Sequence, residues 1–418
     1  MAPARVRAAV SPLRRPLAAV AALPRVDEVV ASERPDEPLH CLRPAVIAET
    51  AQRFVAGFPG DVLYAVKCNP EPAVLRAVRR GGVKHLDCAS PAEISLVRQM
   101  FPAAEIHYMH PVKGRAAIRE AWHRHGVRDF AIDSADELAK IIDETGADGA
   151  ASRGLFVRLA LPKGAAVYSL AGKFGAPGDE AAALLRAARP HAGRLGLCFH
   201  VGSQCLEPLE YARALALAGR VIAAAGVTVD IVDIGGGFPV AYPEVAPPEL
   251  GSYFAEIEAA FERLLLAGTR LWAEPGRALV ASGTSLVVQV QLRRGNQLFV
   301  NDGIYGSLSD AGVPGFRFPS RLVRPGTPSD APLRGFELFG PTCDSADHMR
   351  GPFVLPADVR EGDWIELGQL GAYGGCLRTA FNGFDRARLT EVADRPLLET
   401  AGLTVDAAAE PAALAIDG

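Results

Sequence analysis

Residues 62–70 read VLYAVKCNP. Val62, Leu63, Tyr64, Ala65 and Val66 form an apolar run of strand length, bounded by Pro59-Gly60 before it and Asn69-Pro70 after it. Such a run predicts a buried strand. It leads directly into Lys67, a residue type almost never buried without a partner. A doubly wound open sheet normally places a glycine-rich fingerprint after its first strand, and here a lysine holds that place. The other way to alternate strands with helices is a closed barrel, whose chemistry gathers at the C-terminal ends of its strands.

Seven more strand-like runs follow: HLDCA near 87, IHYMH near 108, DFAID near 131, GLFVRLAL near 157, LGLCFHV near 199, VDIVDIGGG near 233 and LWAEPG near 273. Between them lie segments of helical character such as PAEISLVRQM and ADELAKIIDET. Eight alternations predict a (β/α)8 TIM barrel over residues 38–277. Beyond residue 277 the pattern changes. Val288, Val290 and Leu292 alternate with Gln289, Gln291 and Arg293 before Gly295-Asn296, which predicts an antiparallel hairpin. GDWIELGQLGAYG and FELFGPTCD also read as strands and turns. A second, mostly β domain is therefore expected over 278–418, with residues 1–37 forming an N-terminal extension and a segment that joins it.

The composition is that of an ordinary globular protein: 49% hydrophobic and 22% charged residues in a chain of 418, with a net charge of −4. No basic domain is offered to a phosphate backbone, so nucleic acid is not expected as a partner. The seven cysteines are odd in number and scattered, without a CxxC pair, which fits a reduced, cytoplasmic protein. No apolar run reaches the ~18 residues of a membrane span. The stretch MAPARVRAAVSPLRRPLAAVAALPRV is rich in arginine, but its prolines break any long amphipathic helix, so it reads as a loosely ordered extension rather than a transit peptide. His123 and His125 are spaced i, i+2 on a predicted helix and share no face, so no metal site is expected there or elsewhere. His110 reads as a loop residue, Cys198 and Cys205 as packing residues, and Lys173 as a solvated charge.

At the strand ends stand Lys67, Asp87, Glu93, Arg158, His200, the triplet Gly235-Gly236-Gly237, Glu274, and Gly276 with Arg277. A lysine whose surroundings lower its pKa forms an imine with an aldehyde; alone, it reads as a strand-end side chain snorkelling into water. Three successive glycines at a strand-to-helix turn let backbone N–H groups approach an anion, although a lone triplet is often just a tight turn. EPGR adds a backbone amide and a guanidinium after the eighth strand, and the loops after strands 7 and 8 are the usual phosphate site of such barrels. Glu274 is placed to hold a pyridine nitrogen protonated. His200, which alone would read as a hydrogen-bonded core histidine, is placed to lie against a ring. Lysine, phosphate cradle, carboxylate and imidazole together describe pyridoxal 5′-phosphate.

With these motifs in order, the chain resembles the group IV, fold-type III pyridoxal phosphate decarboxylases, the alanine-racemase-like barrels that include ornithine, lysine and diaminopimelate decarboxylases. The ornithine decarboxylase branch looks closest. The resemblance runs from about residue 38 to 384 through YAVKCNP, DCASPAEI, HPVKGR, FHVGSQ, DIGGGFP, AEPGRALVA, NDGIYGS, GPTCDSAD and GAYG…FNGF. It implies that Lys67 is the Schiff-base lysine, Glu274 the partner of the pyridinium, and His200 the stacking residue. Ser203, Gly235, Gly236, Gly237, Gly276, Arg277 and Tyr373 would hold the phosphate, with Asp87, Glu93 and Arg158 supporting lysine and cofactor. It further implies a homodimer whose sites are shared, Cys343 and Asp344 being given by the partner subunit. Cys343 would return a proton to Cα, and Asp344, with Tyr305 and Phe381, would bind the distal end of a basic amino acid.

The family's ornithine enzymes carry a second acid, in a DH pair downstream of NDG.YGS. This chain reads NDGIYGSLSDAGVPGFRFP and has no such pair; Asp310 is the nearest acid and is expected to take its place in binding the substrate. Ornithine is the expected substrate, with putrescine as product in polyamine synthesis; lysine, giving cadaverine, is the alternative. One methylene is worth only about 1–3 kcal/mol of discrimination, so sequence does not separate the two. Diaminopimelate fits less well. A racemase would need a second base where GPTCDSAD places a thiol and an acid. A catalytically silent regulator would be expected to lack some of the set that this chain retains.

Overall fold

The structure is a computed structural model that describes residues 22–401; the arginine-rich stretch up to residue 21 lies outside them. Strand β1 (Leu39–Leu42) is followed by β2 (Asp61–Ala65), β3 (His85–Asp87), β4 (Glu105–Tyr108), β5 (Asp129–Ile132), β6 (Gly154–Arg158), β7 (Ala166–Tyr168), β8 (Arg194–Cys198), β9 (Ser203–Cys205), β10 (Ile231–Asp233) and β11 (Arg270–Ala273). Eight of these, β2, β3, β4, β5, β6, β8, β10 and β11, close into a parallel barrel in the order β10-β11-β2-β3-β4-β5-β6-β8. They are the eight runs expected from the sequence. The short strands β7 and β9 pair with each other instead, as an antiparallel ribbon.

Helices return the chain between barrel strands. Two of them start at serine N-caps: Ser90 and Ser134 accept a hydrogen bond from the backbone N–H of Glu93 and Glu137, both at 3.3 Å. The barrel interior is filled, not open. Leu63, Met109, Ala131, Phe156, Cys198, Ile231 and Trp272 form its buried cluster, with Phe156 stacked on Trp272 at 5.2 Å between ring centroids. Access to the chemistry is therefore from the ends of the barrel.

The second domain is an eight-stranded sheet. Its path runs β14 (Ser320–Val323), β17 (Trp364–Leu367), β12 (Thr284–Arg294), β13 (Gln297–Val300), β15 (Leu333–Phe339) and β16 (His348–Pro356). β12 and β13 form the expected hairpin. Gly295, the first turn residue, takes φ +61°, a conformation open to glycine at no steric cost.

β1 pairs antiparallel with β12 and parallel with β18 (Arg388–Glu391), so residues 39–42 belong to this sheet although the sequence reading begins the barrel at 38. At the other limit, Leu279, Val280 and Ala281 pack in the barrel core. A four-residue, wholly buried strand such as β1 carries no signal of which sheet it joins. No helix among the described residues is long and apolar enough to cross a membrane.

Candidate active site

β2 stops at Ala65, and the chain leaves the barrel through a 3₁₀ turn over Val66–Cys68 that carries Lys67. Lys67 Nζ lies 2.7 Å from Asp87 Oδ2, at the end of β3. Desolvation opposes the charge on Lys67, but Asp87 and Glu274 outweigh it and hold the ammonium well above the usual lysine range. The turn is fastened from several sides. Tyr64 Oη donates to Asn69 O at 3.0 Å, Asn69 Nδ2 donates to Gly371 O at 2.8 Å, and Tyr373 N donates to Cys68 O at 2.9 Å. Tyr373 itself sits at φ +55°, a left-handed conformation costly for a tyrosine. The lysine turn is thus tied to the segment that follows β17 of the sheet domain.

Around Lys67 opens a cavity of about 820 Å³, lined by Arg158, His200, Ser203, Gly236, Gly237, Glu274, Gly276, Arg277, Asp310 and Tyr373 among others. Asp87 and Gly235 lie just behind this lining. Burial, and then the neighbouring Asp233 and Asp87, push the Glu274 carboxyl well above the usual carboxylate range. Burial also pushes Asp233 up to about 6. His200 is forced the other way, down to about 3, by burial and by the cations Arg158 and Lys67. It is therefore neutral, and its Nδ1 accepts the Gly202 N–H at 3.0 Å, which puts the ring proton on Nε2.

The glycine triplet is bare because there is no room for side chains. A Cβ on Gly236 would come within 2.6 Å of Glu274 O, and one on Gly237, at φ +102°, within 2.4 Å of Gly202 O. Arg277 closes this side. Its Nη1 donates to Tyr242 Oη at 2.9 Å, and its guanidinium lies 5.0 Å from the Tyr373 ring.

These residues fit pyridoxal phosphate. Asp87 Oδ1 and Asp233 Oδ2 are buried acceptors with no donor, and Glu274 beside them has a raised proton affinity. A ring nitrogen bearing a proton would relieve that crowding of carboxylates. Arg277 and the close-approach backbone amides suit a phosphate. Lys67 is placed for an aldehyde, although Asp87 and Glu274 raise its pKa where a lowered one was expected, so its proton must leave before the imine forms.

Several expected residues stand elsewhere. Cys343, Asp344, Tyr305 and Phe381 do not line the cavity of their own chain. They form a separate, partly exposed group: Tyr305 Oη donates to Asp344 Oδ2, the Tyr305 and Phe381 rings are 4.9 Å apart, and Cys343 N donates to Asn382 Oδ1 at 3.1 Å. Glu93 caps its own helix, its carboxylate accepting Ala89 N–H at 2.7 Å. Asp310 does line the cavity, but its Oδ2 lies 2.8 Å from Arg277 Nη2 in an ion pair.

Two residues read as bland, His110 and Lys173, line the cavity as well. His110 meets Phe174 edge-on at 5.2 Å. Its place just past β4, the third strand of the barrel, was a usable signal, since strand ends are where barrel chemistry collects. For Lys173, in the connection after β7, no such signal existed.

Residues 45–281 match the family profile described as "Pyridoxal-dependent decarboxylase, pyridoxal binding domain". A lysine/ornithine decarboxylase of Selenomonas ruminantium is 32% identical over 347 residues, covering 80% of this chain and 84% of that protein. Antizyme inhibitor 2 of Xenopus laevis is 31% identical over 366 residues, covering 80% and 76%. Among solved structures, the arginine decarboxylase of Paramecium bursaria Chlorella virus, bound to agmatine, superposes with a TM-score of 0.77 at 28% identity, covering 88% of this chain and 99% of that one. A lysine placed for an aldehyde, a carboxylate placed for a ring nitrogen and a phosphate cradle lie within the matched span, and the chain belongs to the group IV, fold-type III pyridoxal phosphate-dependent amino-acid decarboxylases, close to ornithine decarboxylase.

Proposed function

We propose that the chain decarboxylates a basic amino acid, L-ornithine before L-lysine, as a homodimer whose two active sites each draw residues from both subunits. The observation that carries this reading is the division of the expected residues. Lys67, His200, Glu274 and Arg277 converge on one cavity, while Cys343 and Asp344 are grouped outside it. A second copy that brought its Cys343 and Asp344 over the cavity would complete the set.

When bound, pyridoxal phosphate supplies an electron sink for the pair left behind as the α-carboxylate departs. Glu274 holds the proton of the ring nitrogen, and the triplet with Gly276, Arg277, Ser203 and Tyr373 holds the phosphate. His200, neutral, adds no charge against the ring. Asp87 keeps Lys67 Nζ in place and accepts its proton when the free amine is needed. Cys343 Sγ of the second copy gives a proton to Cα, and its Asp344, oriented by Tyr305, pairs with the distal ammonium of the substrate.

Asp310 is engaged by Arg277, which leaves amine recognition to Asp344. The relatives act, by their names, on lysine, ornithine and arginine, which supports a basic substrate. Similarity to an antizyme inhibitor raises the reading of a silent regulator; the retained Lys67, Arg277, Cys343 and Asp344 speak against it. All seven cysteines are unpaired, which supports a reducing, cytoplasmic setting.

The deciding experiment is a competition assay. Protein with added pyridoxal phosphate receives equimolar L-ornithine, L-lysine, L-arginine and meso-diaminopimelate, and products are identified by mass spectrometry. Putrescine or cadaverine is expected to dominate. Agmatine as the main product, selective consumption of meso-diaminopimelate with a matching gain of L-lysine, or no product from a protein with normal cofactor absorbance, would reject the substrate assignment.

A further inference from the structure

The end of the barrel opposite Lys67 carries its own cluster of polar side chains. His85 is the first residue of β3 and stands in register with Glu105, the first residue of β4. His107, two residues on, points to the same side of β4 as Glu105 and stands in register with Asp129 of β5. His85 Nδ1 is 3.0 Å from His107 Nε2 and 3.5 Å from a Glu105 carboxylate oxygen. The three ligand atoms all lie within 4.8 Å of one another. We infer that His85 Nδ1, His107 Nε2 and the Glu105 carboxylate form a site for a divalent transition-metal ion of the zinc class.

With metal–ligand bonds near 2.0–2.2 Å and tetrahedral angles, ligand atoms lie roughly 3.3–3.6 Å apart; the His85–Glu105 pair is at that spacing, and the two imidazole nitrogens, at 3.0 Å, would part by a few tenths of an ångström to admit the ion. The second feature is the arrangement behind His107. Its Nδ1 lies 2.7 Å from Asp129 Oδ2, and both side chains are almost fully buried, 2% and 3% exposed. Asp129 is held in turn by Arg194, whose Nη2 lies 2.6 Å from the same carboxylate oxygen. A carboxylate on the far nitrogen fixes the tautomer and leaves Nε2 as the lone-pair atom, as second-sphere partners of metal-bound histidines do.

Arg194 and Arg270 oppose a cation here, but Glu105, Asp129 and Asp61 outnumber them; Asp61 also accepts the Trp272 indole N–H at 3.0 Å. Glu105, 65% exposed, leaves a way in from solvent. The Phe156–Trp272 stack separates this cluster from the cofactor cavity, so the ion would clamp β3 to β4 and take no part in the decarboxylation.

The test uses the holoenzyme, stripped with a chelator and dialysed against Zn²⁺, with bound metal counted per chain and melting followed in parallel. Co²⁺ serves as a second probe, through the visible absorption of a tetrahedral site. About one ion per chain is expected, with a rise in Tm. His85→Gln should abolish binding, and Asp129→Asn should weaken it about 10–100-fold. Glu105→Gln, at an exposed position that does not threaten the fold, should weaken it while cofactor absorbance stays unchanged. Failure of the wild type to retain zinc would overturn the site. So would equal zinc binding by wild type, His85→Gln and Glu105→Gln, which would leave the two imidazoles sharing a proton only.

Discussion

Lys67→Ala removes the amine that Asp87 orients, and it is expected to abolish the visible absorbance of bound cofactor and to lower turnover by at least about 10²-fold. Absorbance spectroscopy and a product assay on the same preparation check both. The two acids of the substrate region separate by partner. Asp344→Asn is expected to raise KM for the amino acid about 10–100-fold, the loss of one charged hydrogen bond, whereas Asp310→Asn should leave KM nearly unchanged. Steady-state kinetics showing the reverse order would hand amine recognition to Asp310.

Away from the site, His40 is buried, hydrogen-bonded to Ser307 Oγ at 3.0 Å, and lowered to about 4, mainly by burial. The unfolded chain binds this proton first, so stability is complete above pH 6.5 and falls as pH drops from 6.5 toward 4. The slope from this one group is at most about 1.4 kcal/mol per pH unit. Denaturant melts of wild type and His40→Gln should show a shallower pH dependence for the variant. Lysine, glycines, Glu274 and His200 were legible because strand ends are countable in a sequence. The Arg277–Asp310 pair was not, because it joins a barrel loop to a loop of the sheet domain, and nothing local marks such a contact.

At the scale of elements, the turn after β10 is built to exclude side chains. Gly237→Ala adds a Cβ against Gly202 O at a φ that favours glycine. Titration with pyridoxal phosphate is expected to show binding at least about tenfold weaker, or 1.4 kcal/mol, with Glu274 chemistry otherwise intact. All eight barrel strands could be read in advance since each is a short apolar run closed by turn residues and followed by a helical period. β1 could not be assigned, because its four residues are buried on both faces and its partners lie some hundreds of residues away in the chain. The inner cluster of His85, His107 and Asp129 also escaped notice. Its members are spread over three strands, and only the register of β3, β4 and β5 brings them together.

For the whole molecule, the division of residues between cavity and outlying patch yields a test of assembly. Lys67→Ala and Cys343→Ala chains, each inactive alone, are expected to regain about a quarter of wild-type activity after mixing, because hybrid dimers restore one site of two. No recovery despite subunit exchange shown by differential labelling would mean that each site is completed within one chain.

The hydrogen bonds that tie the lysine turn to residues 371–373 have a consequence for how the protein fails. Tyr373 and Gly371 hold Lys67 in place from outside the barrel, so the cofactor's anchor is shared between the two domains. Loosening of the sheet domain alone would slacken the grip on the cofactor while the barrel helices stayed intact. On heating, the protein's colour should therefore fade before its helical circular dichroism does, and the bound cofactor would act as a built-in gauge of whether the two domains are still docked.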